Sequence, residues 1–124
     1  MDNQLLQPQI LIKRIMIPAL LLVLIGLITI LGIYWHRISD PYIIEVLSLK
    51  GDVAQGYAIF QINCAGCHGI KGDGIVGPSL KNVPKRKSKI DLIDQVISGK
   101  TPPMPKFQPS SQEMADLLTY LEQL

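Results

Sequence analysis

An uncharged apolar segment, residues 15 to 35, constrains the fold of this chain more than any other feature. It reads IMIPALLLVLIGLITILGIYW and contains no Asp, Glu, Lys or Arg. A helix of about 21 residues is roughly 31 Å long, which matches a hydrocarbon core about 30 Å thick. Tyr34 and Trp35, followed by Arg37, are typical of a membrane–water boundary. Residues 15–35 are therefore predicted to form a single transmembrane anchor, with Pro18 in its first turn.

Two other structures for this segment are less consistent with the sequence. A cleaved signal peptide normally has an apolar region of about 7–15 residues followed by a small-x-small cleavage site, and no such site follows here. A buried core helix would need more surrounding chain than 124 residues provide. Lys13 and Arg14 before the segment, against Arg37 after it, predict residues 1–14 as a cytoplasmic tail.

Residues 36–50 are interpreted as a linker between the anchor and a helical domain. Asp40 followed by Pro41 is typical of a helix start, and a short helix would carry Ile43, Ile44, Val46 and Leu47 on its apolar side. This linker is expected to rest on the membrane surface or on the domain. A helix that docks on a partner protein is the alternative.

Residues 51–124 are predicted to form a compact all-α domain. Asp52 can cap one helix, Ser88 with Asp91 a second, and Ser110 with Glu113 a third. Gly99 is the expected end of the second helix. Residues 101–109, TPPMPKFQP, contain four prolines and are predicted to be neither helix nor central strand. Three short helices bury a small core, and domains of this size usually need a further stabilising group.

The two cysteines indicate what that group is. Cys64 and Cys67 are separated by two small residues and followed by His68, and Cys-x-x-Cys-His is the attachment sequence for c-type haem. Two thiols on one helical turn can reach the two vinyl groups on one edge of a porphyrin, and the histidine can then ligate the iron. One covalent haem c per chain is therefore predicted, and it would complete the apolar core.

Other chemistries for a cysteine pair require features that this sequence does not show. A thioredoxin-like redox pair is expected in a βαβ context, whereas this region is predicted to be helical with glycine-rich loops. A structural zinc site needs four ligands, and the second histidine, His36, lies at the membrane boundary.

The sixth iron ligand is predicted to be Met104. The prolines that flank it hold its loop extended, so that its thioether loses little entropy on binding. Met114 falls on the apolar stripe of the last helix and is assigned to the core, while Met1 and Met16 lie in the tail and the anchor. The alternatives are that Met104 fills an apolar gap, that His36 is the ligand, or that the position is open. His–Met ligation raises the haem potential and closes the coordination sphere.

From about Gly51 to Leu124 the chain resembles a class I cytochrome c. Gly56 and Phe60 match the first helix of that family, and Leu117 and Tyr120 match the last helix that crosses it. The stretches GPSL and MPKF match its two haem-side loops. The resemblance implies that the carbonyl of Pro78 orients His68 and that Leu80 packs on the haem.

A narrower resemblance concerns the anchor together with the stretches SDPY and TPPMPKFQPS. In this respect the chain is similar to the cyanobacterial membrane-anchored cytochrome c of the M type. That resemblance implies a thylakoid or plasma membrane, with the haem domain on the lumenal or periplasmic side. It does not identify the electron donor or acceptor.

A basic run between Lys81 and Lys89 is the candidate docking surface for acidic redox partners. It contains five basic residues, whereas the whole chain has a formal net charge of +2 and few aromatic residues. Clustered charge steers partner encounters, although the run is equally consistent with a solvated loop. Nucleic-acid binding is not expected from a chain so close to neutral.

These features together predict a membrane-anchored monohaem electron carrier of a photosynthetic or respiratory membrane, with no small-molecule substrate. Two filled axial positions would leave no site for substrate chemistry, so no enzymatic activity is expected. One alternative is a fixed haem subunit of a larger oxidase or photosynthetic complex, in which Gly26 and Gly32 pack against partner helices. A haem-based gas sensor is the other, and it would require an open sixth position.

Overall fold

A computed structural model describes residues 8–124, and every regular element in that range is a helix. The helices are α1 (Pro8–Ile38), α2 (Pro41–Ser48), α3 (Val53–Asn63), α4 (Ala65–His68), α5 (Lys89–Ser98) and α6 (Ser111–Leu121), with a short 3-10 turn at Val83–Lys85. The chain divides into two compact units, one ending at Ile38 and the other comprising Ser39–Leu124. The predicted all-α fold is confirmed.

Helix α1 forms the first unit. Its segment Ile12–Ile38 has a mean hydropathy of 2.8 and is, by length and composition, the one described helix able to cross a membrane. The helix begins at Pro8, so Pro18 lies in its interior and the prediction that this proline occupies the first turn was wrong. The start of the uncharged run at Ile15 predicted the start of the helix, but residues 8–14 precede the run and belong to the same helix. Residues 1–7 of the expected tail lie outside the described part of the chain.

Helix α2 belongs to the same compact unit as the domain that was expected to begin at Gly51. The Asp40 carboxylate caps it, accepting a hydrogen bond from the backbone N–H of Tyr42 at 2.9 Å. Ile43 and Val46 are 5 % and 2 % exposed and join the hydrophobic core. The segment expected as a linker thus contributes a helix to the second unit.

The close crossing of α3 and α6 forms the centre of the second unit. Gly56 lies directly against the backbone of Asp116 and the Cβ of Tyr120, where any side chain would collide. Phe60 is fully buried, and its ring lies 5.2 Å from that of Tyr120, centroid to centroid. Gly56 therefore permits the crossing of the first and last helices that the family resemblance implied.

Local hydrogen bonds define where the other helices begin. Asp52 accepts from Gln55 N at 2.9 Å at the start of α3, and Ser88 accepts from Asp91 N at 3.2 Å at the start of α5. At α6, Ser110 and Glu113 form the full capping box, which satisfies two backbone donors at once. The predicted caps are all present, so the helices begin where the sequence indicates.

Candidate functional site

The two cysteines and the histidine lie on a single helical turn. Cys64 ends α3, and α4 then carries Cys67 and His68, with the His68 N–H donating to the Cys64 carbonyl at 2.9 Å. Cys67 is exposed and Cys64 is partly buried. Burial, followed by the neighbouring Cys67, raises the pKa of the Cys64 thiol to about 11. A thiol this hard to ionise is poorly suited to disulfide exchange, which proceeds through the thiolate.

His68 is held in one tautomer by the loop that follows it. The residue is 8 % exposed, and its Nδ1 lies 2.8 Å from the carbonyl oxygen of Pro78. Because a carbonyl oxygen can accept but not donate, Nδ1 carries the proton, and in the neutral imidazole the lone pair is then on Nε2. This is the form of imidazole that binds a metal, and the Pro78 contact orients it.

The loop from residue 69 to residue 80 is fastened to the cysteine turn by backbone hydrogen bonds. The Cys67 carbonyl accepts from the N–H groups of Ile75, Val76 and Gly77 at 3.1, 3.0 and 2.8 Å. Gly77 lies against the imidazole, since a Cβ built there would be 2.7 Å from His68 Cε1. Leu80 donates its N–H to the Gly72 carbonyl at 2.8 Å and packs on the hydrophobic core. The part of the site that contains His68 and the loop to Leu80, called here the histidine side, is therefore fixed by many backbone hydrogen bonds.

Met104 is placed by a different part of the chain and has a polar partner. The side-chain Nε2 of Gln95 donates to Met104 Sδ at 3.5 Å. Thr101 Oγ1 donates to Gln95 Oε1 at 3.3 Å, which fixes the amide with its N–H end towards the sulfur. The Met104 N–H bonds to the Thr101 carbonyl at 3.0 Å, and no helix forms at this methionine. The prediction of a non-helical loop is confirmed.

The other ligand candidates occupy positions that suit different roles. Met114 is fully buried in the core, as predicted. Met16 and His36 both lie in α1, which is a separate unit, and Met1 is outside the described residues. Among residues 8–124, no group of three or more His, Cys, Asp or Glu side chains could hold a metal ion, which weighs against the zinc alternative.

The basic run is more structured than a solvated loop would be. Lys81 pairs with Asp73, and Lys89 Nζ lies 2.8 Å from Glu122 Oε1. Arg86 donates through Nη2 to the carbonyls of Ser79 and Lys81 at 2.9 and 3.0 Å. The guanidinium of Arg86 thus ties together the loop that contains Pro78, a role that sequence reasoning missed.

A helical domain built around a Cys-x-x-Cys-His turn, with its histidine bonded to a following proline carbonyl, defines the class of small c-type cytochromes. Residues 51–121 match the family described as "Cytochrome C oxidase, cbb3-type, subunit III". A protein named "Cytochrome c-553-like" from Synechocystis is 61 % identical over 85 residues, which is 68 % of this chain and 81 % of that protein.

The crystal structure of cytochrome cL from Hyphomicrobium denitrificans has a related fold, with a TM-score of 0.54 and 22 % identity. That match covers 68 % of this chain, which spans 58 % of the solved one. The chain belongs to the class I cytochromes c, and it is a c-type cytochrome electron carrier. Membership of the family implies a covalently bound haem c.

The residues present fit that group. His68 offers Nε2 in the metal-binding tautomer, two thiols lie on the same turn, and Met104 supplies a thioether. Sequence reasoning missed the contributions of Gln95 and Gly77. Gln95 could have been suspected because it is a polar residue between the apolar positions Leu92 and Val96 of α5. Gly77 is the first residue of the GPSL match, but nothing in the sequence indicated that it lies against the imidazole.

Proposed function

We propose that the chain is a membrane-anchored monohaem cytochrome in which His68 and Met104 are the axial iron ligands and Cys64 and Cys67 the covalent attachment points. When bound, the haem supplies an iron that cycles between the ferrous and ferric states. The observation that carries the ligand assignment is the His68 Nδ1 to Pro78 contact of 2.8 Å, because it engages Nδ1 and leaves Nε2 as the nitrogen available to the iron. The Gln95 donor at Met104 Sδ supports the second ligand.

Each residue of the site then has a defined task in electron transfer. Cys64 and Cys67 would retain the haem, and the Pro78 carbonyl would keep the His68 ring oriented towards the iron. Gln95 would withdraw electron density from the Met104 sulfur, which would favour the ferrous state. With both axial positions filled, little would reorganise on reduction and no position would be open for substrate chemistry.

The ligand assignment is tested by spectroscopy of the purified holoprotein. We expect a low-spin ferric spectrum with a sulfur-to-iron charge-transfer band, and no carbon monoxide adduct of the ferrous protein at neutral pH. Rapid formation of a carbon monoxide adduct would instead support the gas-sensor alternative.

Membrane anchoring through residues 15–35 is supported by the length and hydropathy of α1, and residues 1–14 are assigned to the cytoplasmic side. Haem attachment in bacteria occurs outside the cytoplasm, which puts the haem domain in the lumen or periplasm of a thylakoid or plasma membrane. Protease added to sealed vesicles of known orientation tests this topology. Cleavage of the haem domain from the cytoplasmic face alone would refute it.

A fixed subunit of a larger oxidase is the second candidate function, and the description of the matching family favours it. Gly26 and Gly32, which have open space around them in α1, would then allow close packing of partner helices. Purification in mild detergent separates the two functions. A stable complex containing further haems supports the subunit, whereas a single redox-active chain supports the mobile carrier.

Acidic redox partners are proposed to dock near Lys85 and Lys87. Among the residues that the structure describes, these two members of the basic run have no ion pair or side-chain hydrogen bond, whereas Lys81, Arg86 and Lys89 do. Changing Lys85 and Lys87 to Gln should slow electron exchange with an acidic partner at low salt and flatten its salt dependence, since exposed charges are screened over about 8 Å at physiological ionic strength.

The structure supplies a matched control for this experiment. Arg86→Gln should lower thermal stability, because it removes donors from the Ser79 and Lys81 carbonyls, whereas the double lysine variant should melt like the parent. Stopped-flow rates across a salt series, with melting curves for both variants, measure the two effects. An unchanged low-salt rate in the double variant would show that the basic run is a solvated surface with no role in docking.

A further inference from the structure

Helix α2 carries more apolar surface than the core covers. Ile43 and Val46 are buried, but Ile44, Leu47 and Leu49 are 54, 44 and 37 % exposed. Ile44 and Leu47 are three residues apart and therefore neighbours on the helix surface, and Leu49 follows at the C-terminal cap. A short helix that only covered a core would carry polar residues at these positions.

This apolar face is held rigidly, so it cannot turn inward. Ser111 Oγ of α6 donates to Glu45 Oε2 at 2.8 Å, and Gln112 Nε2 donates to the Lys50 carbonyl at 3.0 Å. At the other end of the helix, the Tyr42 hydroxyl donates to the Pro109 carbonyl at 3.0 Å. These contacts attach α2 to the haem domain along its length, and they point Ile44 and Leu47 away from the core.

The short connection between α1 and α2 limits what can lie next to the apolar face of α2. Ser39 and Asp40 alone separate the last residue of α1 from Pro41, the first residue of α2. Three residue steps of extended chain span at most about 11 Å. The headgroup layer extends roughly 5–8 Å beyond the hydrocarbon on each side. Helix α1 itself continues about 4–5 Å beyond Trp35. If residues 15–35 span a bilayer, α2 therefore begins at most about 15 Å from the hydrocarbon, in or close to the headgroup layer.

We propose that Ile44, Leu47 and Leu49 insert into the phospholipid interface next to the anchor, so that α2 lies on the membrane and sets the orientation of the haem domain. This inference rests on the proposed membrane anchoring. Lipid is the occupant because the two-residue connection keeps α2 close to the bilayer whether or not a redox partner is present. An apolar helix face of this kind at the acyl–headgroup boundary is the usual arrangement of an interfacial amphipathic helix.

The test uses the full-length holoprotein in phosphatidylcholine liposomes, with and without bromine atoms on the acyl chains near the headgroup. Trp35 is the one tryptophan of the chain and reports insertion of the anchor in the parent protein. In a Trp35→Phe background, Ile44→Trp reports α2. The matched control in the same background is Ile62→Trp, at an 83 % exposed position of α3. The ratio of fluorescence in brominated and plain lipid cancels energy transfer to the haem.

We expect bromolipid to quench Ile44→Trp about as strongly as Trp35, while Ile62→Trp loses no fluorescence. Quenching of Trp35 without quenching of Ile44→Trp would overturn the inference and leave the anchor intact. Equal quenching of Ile44→Trp and Ile62→Trp would also overturn it, because α2 would then not orient the domain. An unquenched Trp35 would refute the anchor itself, and with it this inference.

Discussion

The two proposed ligands of this cytochrome lie in regions that are held in place very differently. On the histidine side, the Cys67 carbonyl accepts three backbone N–H groups, and the Pro78 carbonyl is aligned with the His68 ring. On the methionine side, Met104 packs against the hydrophobic core, its N–H bonds to the Thr101 carbonyl, and Gln95 donates to its sulfur at 3.5 Å. The histidine is thus held by several backbone hydrogen bonds, whereas the methionine sulfur is contacted by a polar side chain.

This difference indicates how the site divides its tasks. If His68 and Met104 are the iron ligands, the backbone hydrogen bonds around His68 would keep that ligand in one orientation. The Gln95 amide at the Met104 sulfur would be the group through which the potential is adjusted. Substitutions confined to one side therefore test whether the two sides have separate roles.

The largest effect is expected from removing the attachment on the histidine side. Replacing Cys64 and Cys67 together by Ala should abolish covalent haem and leave the domain largely unfolded, because the helices by themselves bury a small core. Haem staining of a denaturing gel and circular dichroism measure the two outcomes. A double variant that remains helical and melts cooperatively would show that the haem is not needed to complete the core.

Met104→Ala tests the other side and should leave the protein folded with haem attached. Because axial ligands set haem potentials over about 0.8 V, we expect the potential to fall by roughly 0.1 V or more. The ferrous iron should also become open to carbon monoxide. Redox titration and the loss of the sulfur-to-iron charge-transfer band measure the effect.

Met114→Ala is the control for that variant. Its side chain is fully buried in the core, so it should lower stability by about 2–5 kcal/mol while keeping the charge-transfer band. If the band vanished in Met114→Ala and survived in Met104→Ala, the ligand assignment would be reversed.

The two sides also differ in how far they could be predicted from sequence. The helix caps at Asp52, Ser88 and Ser110 were predictable because each depends on residues within three positions of it. The Cys-x-x-Cys-His turn was predictable for the same reason. The proximity of Gly77 to His68 depends on the path of the whole loop from residue 69 to residue 80. The spacing of apolar residues in the sequence does not predict that path.

The boundary at residue 50 shows the same limit at the level of domains. Residues 36–50 have the composition of a short linker with one helical turn or two, and the cap at Asp40 was predicted. Whether Ile43 and Val46 are buried depends on the surface of α6, which lies more than 60 residues further along the chain. Arg86 is a comparable case. Its charge predicted a role in the docking surface, whereas in the structure its guanidinium donates a hydrogen bond to the loop that contains Pro78.

Gly77→Ala should have an intermediate effect confined to the histidine side. The new methyl group would meet the His68 ring at 2.7 Å, so the ring or the loop must move. Overpacking of this kind costs about 1–3 kcal/mol, and it should also disturb the His68–Pro78 bond. Thermal melting with proton NMR of the ferric holoprotein measures both, since paramagnetic shifts report the orientation of the histidine.

Pro78→Ala is the matched variant, because it changes the adjacent residue but keeps the carbonyl that accepts from His68. We expect its histidine resonances to stay close to those of the parent. If both variants shifted these resonances equally, the cause would be general loosening of the loop. The steric role assigned to Gly77 would then be wrong.

The smallest effect is expected from Gln95→Leu, which removes the donor at Met104 Sδ and keeps the size of the side chain. Hydrogen bonding to the sulfur lowers its donation to iron and so favours the ferrous state, and its loss should lower the potential. A neutral hydrogen bond contributes about 1 kcal/mol, and 59 mV corresponds to about 1.4 kcal/mol for one electron, so the decrease should be at most tens of millivolts. Gln61→Leu, which removes a donor to the Ile70 carbonyl near the histidine side, should leave the potential unchanged. Redox titration of both variants and the parent under one set of conditions makes the comparison. Equal shifts in the two variants would mean that the potential responds to surface polarity in general, and the methionine side would then have no tuning residue of its own.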